Sequence, residues 1–259
     1  MILAIDISNT TIKLGLFQND ELTVSWQIAT ERHKVADDYA MLVLNLFQSQ
    51  GVRPDDIQGV AISCVVPILK SVFIELVSKY LHLQAFVVTP EVKSGIVLAH
   101  DYPPEVGGDR IVNVLATYRL YGGPAIAVAF GTATVFDCIS QNGEYLGGAI
   151  APGILGAFDS LAHNASQLFR VELVRPPRAI GKNTIHTMQS GMVFGFAGLV
   201  EGLVARLKKE IHALGSEGPV KVIATGGLAE VIAPETEAVD IVDHQLTLKG
   251  LKLIYDLNA

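Results

Sequence analysis

The chain carries an internal repeat. At an offset of 123 residues, Ile5 stands against Val128, Ser8 against Gly131, Asn9 against Thr132 and Thr11 against Thr134, and the pair Gln18-Asn19 returns as Gln141-Asn142. In both copies an apolar run breaks at a short polar turn, resumes as a second run and reaches a turn-forming pair. That is the pattern of a strand–turn–strand unit. A duplicated unit predicts two related halves, each opening on a β-hairpin with a small polar tip. Two such tips facing one another would offer backbone N–H groups and hydroxyls to a phosphate chain from opposite sides.

The rest of the pattern alternates strands and helices. Residues 2–5, 60–66 and 125–128 are continuous apolar runs of the kind covered on both faces, and 12–17, 22–27, 85–88, 135–140, 145–150, 221–224 and 241–242 read as further strands. Apolar residues recur at helical spacing over 37–50, 68–80, 188–214 and 246–257, a helix follows the loop at 102–110 as far as Tyr121, and Gly51 is placed to stop the first of these helices. The long helix carries Gly191, Gly195, Gly198 and Gly202 three or four residues apart, a smooth face for close packing within a domain or across a dimer. Gly122-Gly123-Pro124 is the clearest break. The expected architecture is α/β in two domains, residues 1–115 and 116–259.

Composition narrows the function classes. The formal net charge is −7, which argues against a nucleic-acid partner and its usual basic face. It leaves room for a nucleotide, whose phosphates are held by N–H groups and a metal ion as readily as by Lys and Arg. The N-terminal apolar segment has no basic leader or cleavage site, and the most apolar helical stretch, 192–205, is short for a bilayer and holds Glu201, so the expectation is a cytoplasmic protein without a membrane segment. Cys64 and Cys138 each sit in an apolar run and read as buried small hydrophobes. No zinc-ligand spacing and no P-loop occurs.

Five polar segments could carry chemistry. Asp6, Ser8, Asn9, Thr10, Thr11 and Lys13 lie at a strand end, where a carboxylate can hold Mg²⁺ on phosphates and the turn can donate; the same residues could form an ordinary Asx-turn. Gly131-Thr132-Ala133-Thr134 is the counterpart in the second copy. Thr225-Gly226-Gly227 follows a buried strand and would let a flat ring lie against backbone, or simply turn the chain. In Gly107-Gly108-Asp109-Arg110, Asp109 is either a helix cap or a general base, with Arg110 orienting an anionic substrate. Gly181-Lys182-Asn183-Thr184 either caps the long helix or donates to a substrate.

In order along the chain, Asp-x-x-Asn-Thr, Glu-Val-Gly-x-Asp-Arg, Phe-Gly-Thr-Ala-Thr, Gly-Gly-x-Ile-x-Pro-Gly, Gly-Lys-Asn-Thr and Thr-Gly-Gly resemble the type III pantothenate kinases, over nearly the whole chain. The resemblance implies two ribonuclease-H-like, actin-like domains facing a central cleft, and a homodimer with active sites near the subunit interface. It implies transfer of the ATP γ-phosphoryl group to pantothenate, giving 4'-phosphopantothenate at the start of coenzyme A biosynthesis. Carried over by motif, Asp6 to Lys13 would bind ATP phosphates and Mg²⁺, Gly131 and Thr132 would contact ATP, and Gly226 and Gly227 would line the adenine. Gly107, Gly108, Arg110 and Thr184 would contact pantothenate, with Asp109 as the base.

Three positions depart from that pattern. Ser8 stands where the family usually has Gly, a poor exchange if the turn needs positive φ there. His100 replaces a Tyr that contacts pantothenate, and Tyr102 lies two residues away as a substitute. Ala129 replaces an Asp that binds a monovalent cation, usually K⁺, so no side-chain K⁺ ligand is expected at 129. These departures keep two alternatives open: a catalytically weak, nucleotide-binding regulatory relative, and an actin-like kinase for another small alcohol.

Overall fold

The computed structural model describes residues 1–259. In chain order the elements are β1 (Ile2–Ile7), β2 (Thr11–Gln18), β3 (Glu21–Ala29), α1 (Ala36–Ser49), β4 (Gly59–Cys64), α2 (Pro67–Leu81), β5 (Ala85–Val87), β6 (Val97–Leu98) and α3 (Gly108–Tyr121). There follow β7 (Ala125–Phe130), β8 (Ala133–Ile139), β9 (Glu144–Pro152), α4 (Ile154–Asn164), α5 (Thr184–Ala213), β10 (Lys221–Thr225), α6 (Ala229–Ile232), β11 (Ile241–Val242) and α7 (Leu246–Asp256). They form two compact units, one of Met1–Gly95, Asp101–Ala116 and Leu246–Ala259, the other of Ile96–His100 and Thr117–Gln245.

The first unit is built on a five-stranded sheet in the order β3-β2-β1-β4-β5. β1 pairs antiparallel with β2 and parallel with β4. Its central place explains its sequence: Leu3, Ala4, Ile5 and Ile7 are all fully buried. β3, at the edge, alternates exposed and half-buried residues instead. Tyr39, Val43 and Phe47 of α1 and Leu69, Phe73 and Leu76 of α2 complete the core.

Helix α7 is last in the chain but belongs to this unit, so the expected division at 115/116 does not describe the chain's path. The reason is its apolar face: Leu246, Leu248, Leu251 and Ile254 are buried, and the helix packs on β1, β2 and β4. Gly250 lets it approach the Val112 backbone of α3, where an added Cβ would overlap the Val112 carbonyl.

The second unit has a six-stranded sheet in the order β11-β10-β7-β8-β9-β6. The sequence repeat reappears as structure. Shifted by 123 residues, β1 coincides with β7 end to end, and β3 with β9. The flanking order β3-β2-β1-β4 is matched by β9-β8-β7-β10, with β10 parallel to β7 as β4 is to β1.

Helix α5 runs for 30 residues, longer than the sequence pattern predicted, and is long and apolar enough by length and composition to cross a membrane. Its apolar side is accounted for within the unit: Met188, Met192, Val193, Phe196, Val200 and Val204 join the core with Val128, Phe136 and Val222. Gly191, Gly195 and Gly198 are on the exposed side, where an added Cβ would meet nothing within 4 Å, so they do not serve packing inside the unit. Of the two free cysteines, Cys138 is buried as expected, whereas Cys64 is only half-buried, with its thiol on the Val66 carbonyl at 3.1 Å.

Candidate active site

Strand register assembles the site of the first unit. Asp6 is paired with Lys13 across the antiparallel β1–β2 ladder and with Ser63 across the parallel β1–β4 ladder. Residues paired directly across neighbouring strands share a face of the sheet. Lys13, Asp6 and Ser63 therefore form one row across three strands. The ladder continues past Ile62 to Val88, whose N–H donates to the Ile62 carbonyl at 2.9 Å.

The start of α3 lies against that end of the row. Gly108 is so close to Val88 that an added Cβ would stand 2.9 Å from the Val88 carbonyl oxygen, and at Gly107 it would stand 2.5 Å from Asp109 Oδ1. Gly108 is thus needed to seat the first turn of α3, and Gly107 leaves room for the Asp109 carboxylate in this orientation. The Gly107 carbonyl helps frame that turn, accepting from the Arg110 and Ile111 amides, each at 3.1 Å.

The two carboxylates interact. Asp6 is 6% exposed and its carboxyl is pushed up to about 6, chiefly by burial and next by the negative charge of Asp109. Lys13, Ser8 and Ser63 pull the other way. Burial also raises Asp109, opposed by the Arg110 N–H and guanidinium. Asp6 Oδ2 accepts from Ser8 Oγ at 3.2 Å, whereas Asp6 Oδ1 and the Ser63 Oγ, both buried, make no hydrogen bond of good geometry, although Ser63 is close enough to lower the Asp6 carboxyl. An orphaned, buried carboxylate oxygen next to hydroxyls is a hard-oxygen donor set suited to Mg²⁺.

The turn after β1 is firmly tied. Ser8 N donates to Thr11 O at 3.0 Å, and Thr30 Oγ1 donates to Ser8 O at 2.7 Å. Ser8 is absent from the positive-φ residues, so the concern about replacing glycine there dissolves: the backbone needs no glycine, and the hydroxyl reaches Asp6. Asn9 is exposed, and its Oδ1 accepts from Arg32 at 3.0 Å. Thr10 joins the ladder through its carbonyl, which accepts from Thr30 N.

The remaining predicted residues, Tyr102 apart, lie in the second unit. Gly131 and Thr132 form the exposed tip between β7 and β8, and their carbonyls press on Gly153, where a Cβ would overlap them. Gly226 has φ +97°, and an added Cβ would overlap the backbone of Phe130, so packing alone already demands glycine there; Gly227 has open space. Thr184 is the exposed first residue of α5. Asn183 caps that helix, its Oδ1 accepting from His186 N at 2.8 Å. Thr184 lines a cavity of about 430 Å³ with Leu161, Leu168, Lys182, Asn183, Thr187 and Met188. His100 stacks on Tyr145 with ring centroids 6.1 Å apart and planes 3° from parallel. Tyr102, in the first unit, is 58% exposed. Ala129 is half-buried and paired with Thr225, whose Oγ1 is another buried hydroxyl without a hydrogen-bond partner.

Sequence reasoning passed over Ser63 and Thr30. Each is a small hydroxyl in or beside a strand, and only the folded pairing shows what it faces.

Residues 2–206 match the sequence profile of type III pantothenate kinases. A protein of that name from Roseiflexus sp. (strain RS-1) is 54% identical over 258 residues, covering 100% of this chain and 99% of its own length. One from Moorella thermoacetica is 51% identical over the full length of both. Among solved structures, a conserved Baf family transcriptional activator from Campylobacter jejuni superposes with a TM-score of 0.61 at 20% identity, over 99% of this chain and 98% of the other. The ATP-glucomannokinase from Arthrobacter sp. strain KM gives 0.50 at 15% identity, over 100% and 99%. At those identities the likeness is one of fold, the actin-like/sugar-kinase ATPase fold.

Proposed function

This chain belongs to the type III pantothenate kinase family and phosphorylates pantothenate with ATP at the start of coenzyme A biosynthesis, and we propose that its two coupled carboxylates divide the work. Asp109 is the base. It accepts the proton of the pantothenate primary hydroxyl as the oxygen bonds to the γ-phosphorus and the bond to the ADP oxygen breaks. Burial that lifts a carboxyl above its ordinary range brings it nearer the working pH, where a general base contributes roughly 10²–10⁴-fold. Arg110, next in the chain, gives the pantothenate carboxylate a cationic partner. Gly107 and Gly108 admit the substrate beside the start of α3, and Tyr102, His100 and Thr184 make further contacts with it.

Asp6 takes the metal side. Its unpartnered Oδ1 fits Mg²⁺, which when bound neutralises phosphate charge. Ser8, Asn9, Thr10, Thr11 and Lys13 supply donors and one positive charge to the ATP phosphates; Gly131 and Thr132 add donors from the second hairpin, and Gly226 and Gly227 flank the adenine. The Ala129 side chain has no oxygen to offer a cation, so the reaction runs without a side-chain K⁺ ligand there. We also propose a cytoplasmic homodimer. The exposed glycine side of α5 offers a flat surface to a second copy.

The observation that carries this reading is that Asp109, at the start of α3, stands near enough to the buried Asp6 for its negative charge to raise that carboxyl. The test is product analysis: with Mg-ATP, the protein should release ADP only when pantothenate is added, with one equivalent of phosphopantothenate by mass spectrometry. ADP release indifferent to pantothenate, or faster with another small alcohol, would overturn the assignment.

A further inference from the structure

Ser63 is out of place by composition. It interrupts the apolar run of Val60, Ala61, Ile62, Cys64, Val65 and Val66, is 0% exposed, and its hydroxyl makes no hydrogen bond of good geometry, although it stands near enough to Asp6 to lower that carboxyl. A buried hydroxyl without a good hydrogen bond is destabilising, a cost that alanine at the same position would avoid. The strand register explains its presence. Ser63 is paired with Asp6, on the same face, and paired side chains start roughly 5 Å apart at Cβ. The Asp6 oxygen that lacks a partner, Oδ1, is the complement of a hydroxyl that lacks one; Oδ2 is already held by Ser8.

We propose that Ser63 is a positioning residue, whose hydroxyl donates to the Asp6 carboxylate in its metal-holding state, so that Ser8 and Ser63 fix the group from its two sides. This rests on the reading of Asp6 as the metal-side carboxylate. Ser63 touches neither substrate nor phosphate; it acts through Asp6, as hydrogen-bonded partners of metal-binding carboxylates do. Loss of such a partner typically weakens metal affinity 10–100-fold.

The experiment is calorimetric titration of the full-length protein with ATP, with and without Mg²⁺, for the wild type, Ser63→Ala, Ser63→Thr and Asp6→Ala. Ser63→Ala should bind Mg-ATP about 10-fold more weakly, bind metal-free ATP as the wild type does, and keep its KM for pantothenate. Ser63→Thr, which retains the hydroxyl, should restore Mg-ATP binding. Thermal unfolding of Ser63→Ala at or above the wild-type temperature shows that the fold is intact. Wild-type Mg-ATP affinity in Ser63→Ala, with weakened affinity in Asp6→Ala, overturns the role of Ser63 alone. An equal loss in Ser63→Thr and Ser63→Ala overturns it too, since the hydroxyl is then immaterial. Unchanged affinity in Asp6→Ala overturns the reading of Asp6 on which the inference stands.

Discussion

Gly108 lies against the backbone of Val88 with room for a hydrogen and no more: a Cβ would sit 2.9 Å from the Val88 carbonyl oxygen and 3.5 Å from the Val88 side chain. This contact sets where α3 begins, and so where Asp109 is held. Gly108→Ala must push the helix start away. The expected result is a loss of about 1–3 kcal/mol in unfolding free energy, with kcat falling more than the KM for ATP rises. Denaturant unfolding and steady-state kinetics check both.

Asp6 predicts a stability that depends on pH. Its folded carboxyl titrates near 6 against an ordinary value of 3.8, so the native state holds the proton more tightly than the unfolded chain. Below the unfolded value both states are neutral and nothing is lost. As pH rises through 4 to 6 the native state must bury a charge, at a cost approaching about 3 kcal/mol above that window. In metal-free buffer, Asp6→Asn should therefore unfold at a higher temperature than the wild type at pH 8, and the gap should close by pH 4. The activity of the variant should be lost. Calorimetric scans across pH read the effect.

Ala129 predicts indifference to monovalent cations. Exchanging K⁺ for tetramethylammonium at constant ionic strength should leave kcat within about two-fold, since no side-chain oxygen at that position waits for an ion and screening is held fixed. A strong K⁺ requirement in the same assay would locate the cation on other oxygens.

Gly226 tests packing against ligand binding. At φ +97°, with the Phe130 backbone where a Cβ would be, Gly226→Ala is strained twice over. It should destabilise the protein by more than about 2 kcal/mol even without nucleotide. Chemical denaturation of the nucleotide-free variant measures this; a wild-type midpoint would mean that the glycine serves the nucleotide alone.

The sequence made the large features readable because they repeat or alternate. The 123-residue offset, noticed through turn residues such as Asn19 and Asn142, extends to whole strands, β1 onto β7 and β3 onto β9. Asp6 and Asp109 were legible as polar residues at element ends. Helix α4 was not, because Gly156 interrupts its apolar pattern and a mixed segment follows it; β6, two residues long, is too short to show a period. The placement of α7 in the first unit depends on which surface its apolar face meets, which no local pattern contains. Ser63 was hidden for a related reason. A serine in an apolar strand looks like filler until the register sets it beside a carboxylate.

The central claim is that Asp109 takes the proton from the acceptor hydroxyl, and Asp109→Asn tests it most directly. Single-turnover formation of phosphopantothenate should fall roughly 10²–10⁴-fold, while ATP affinity and the circular dichroism spectrum stay those of the wild type. A variant that turns over at the wild-type rate would contradict the account.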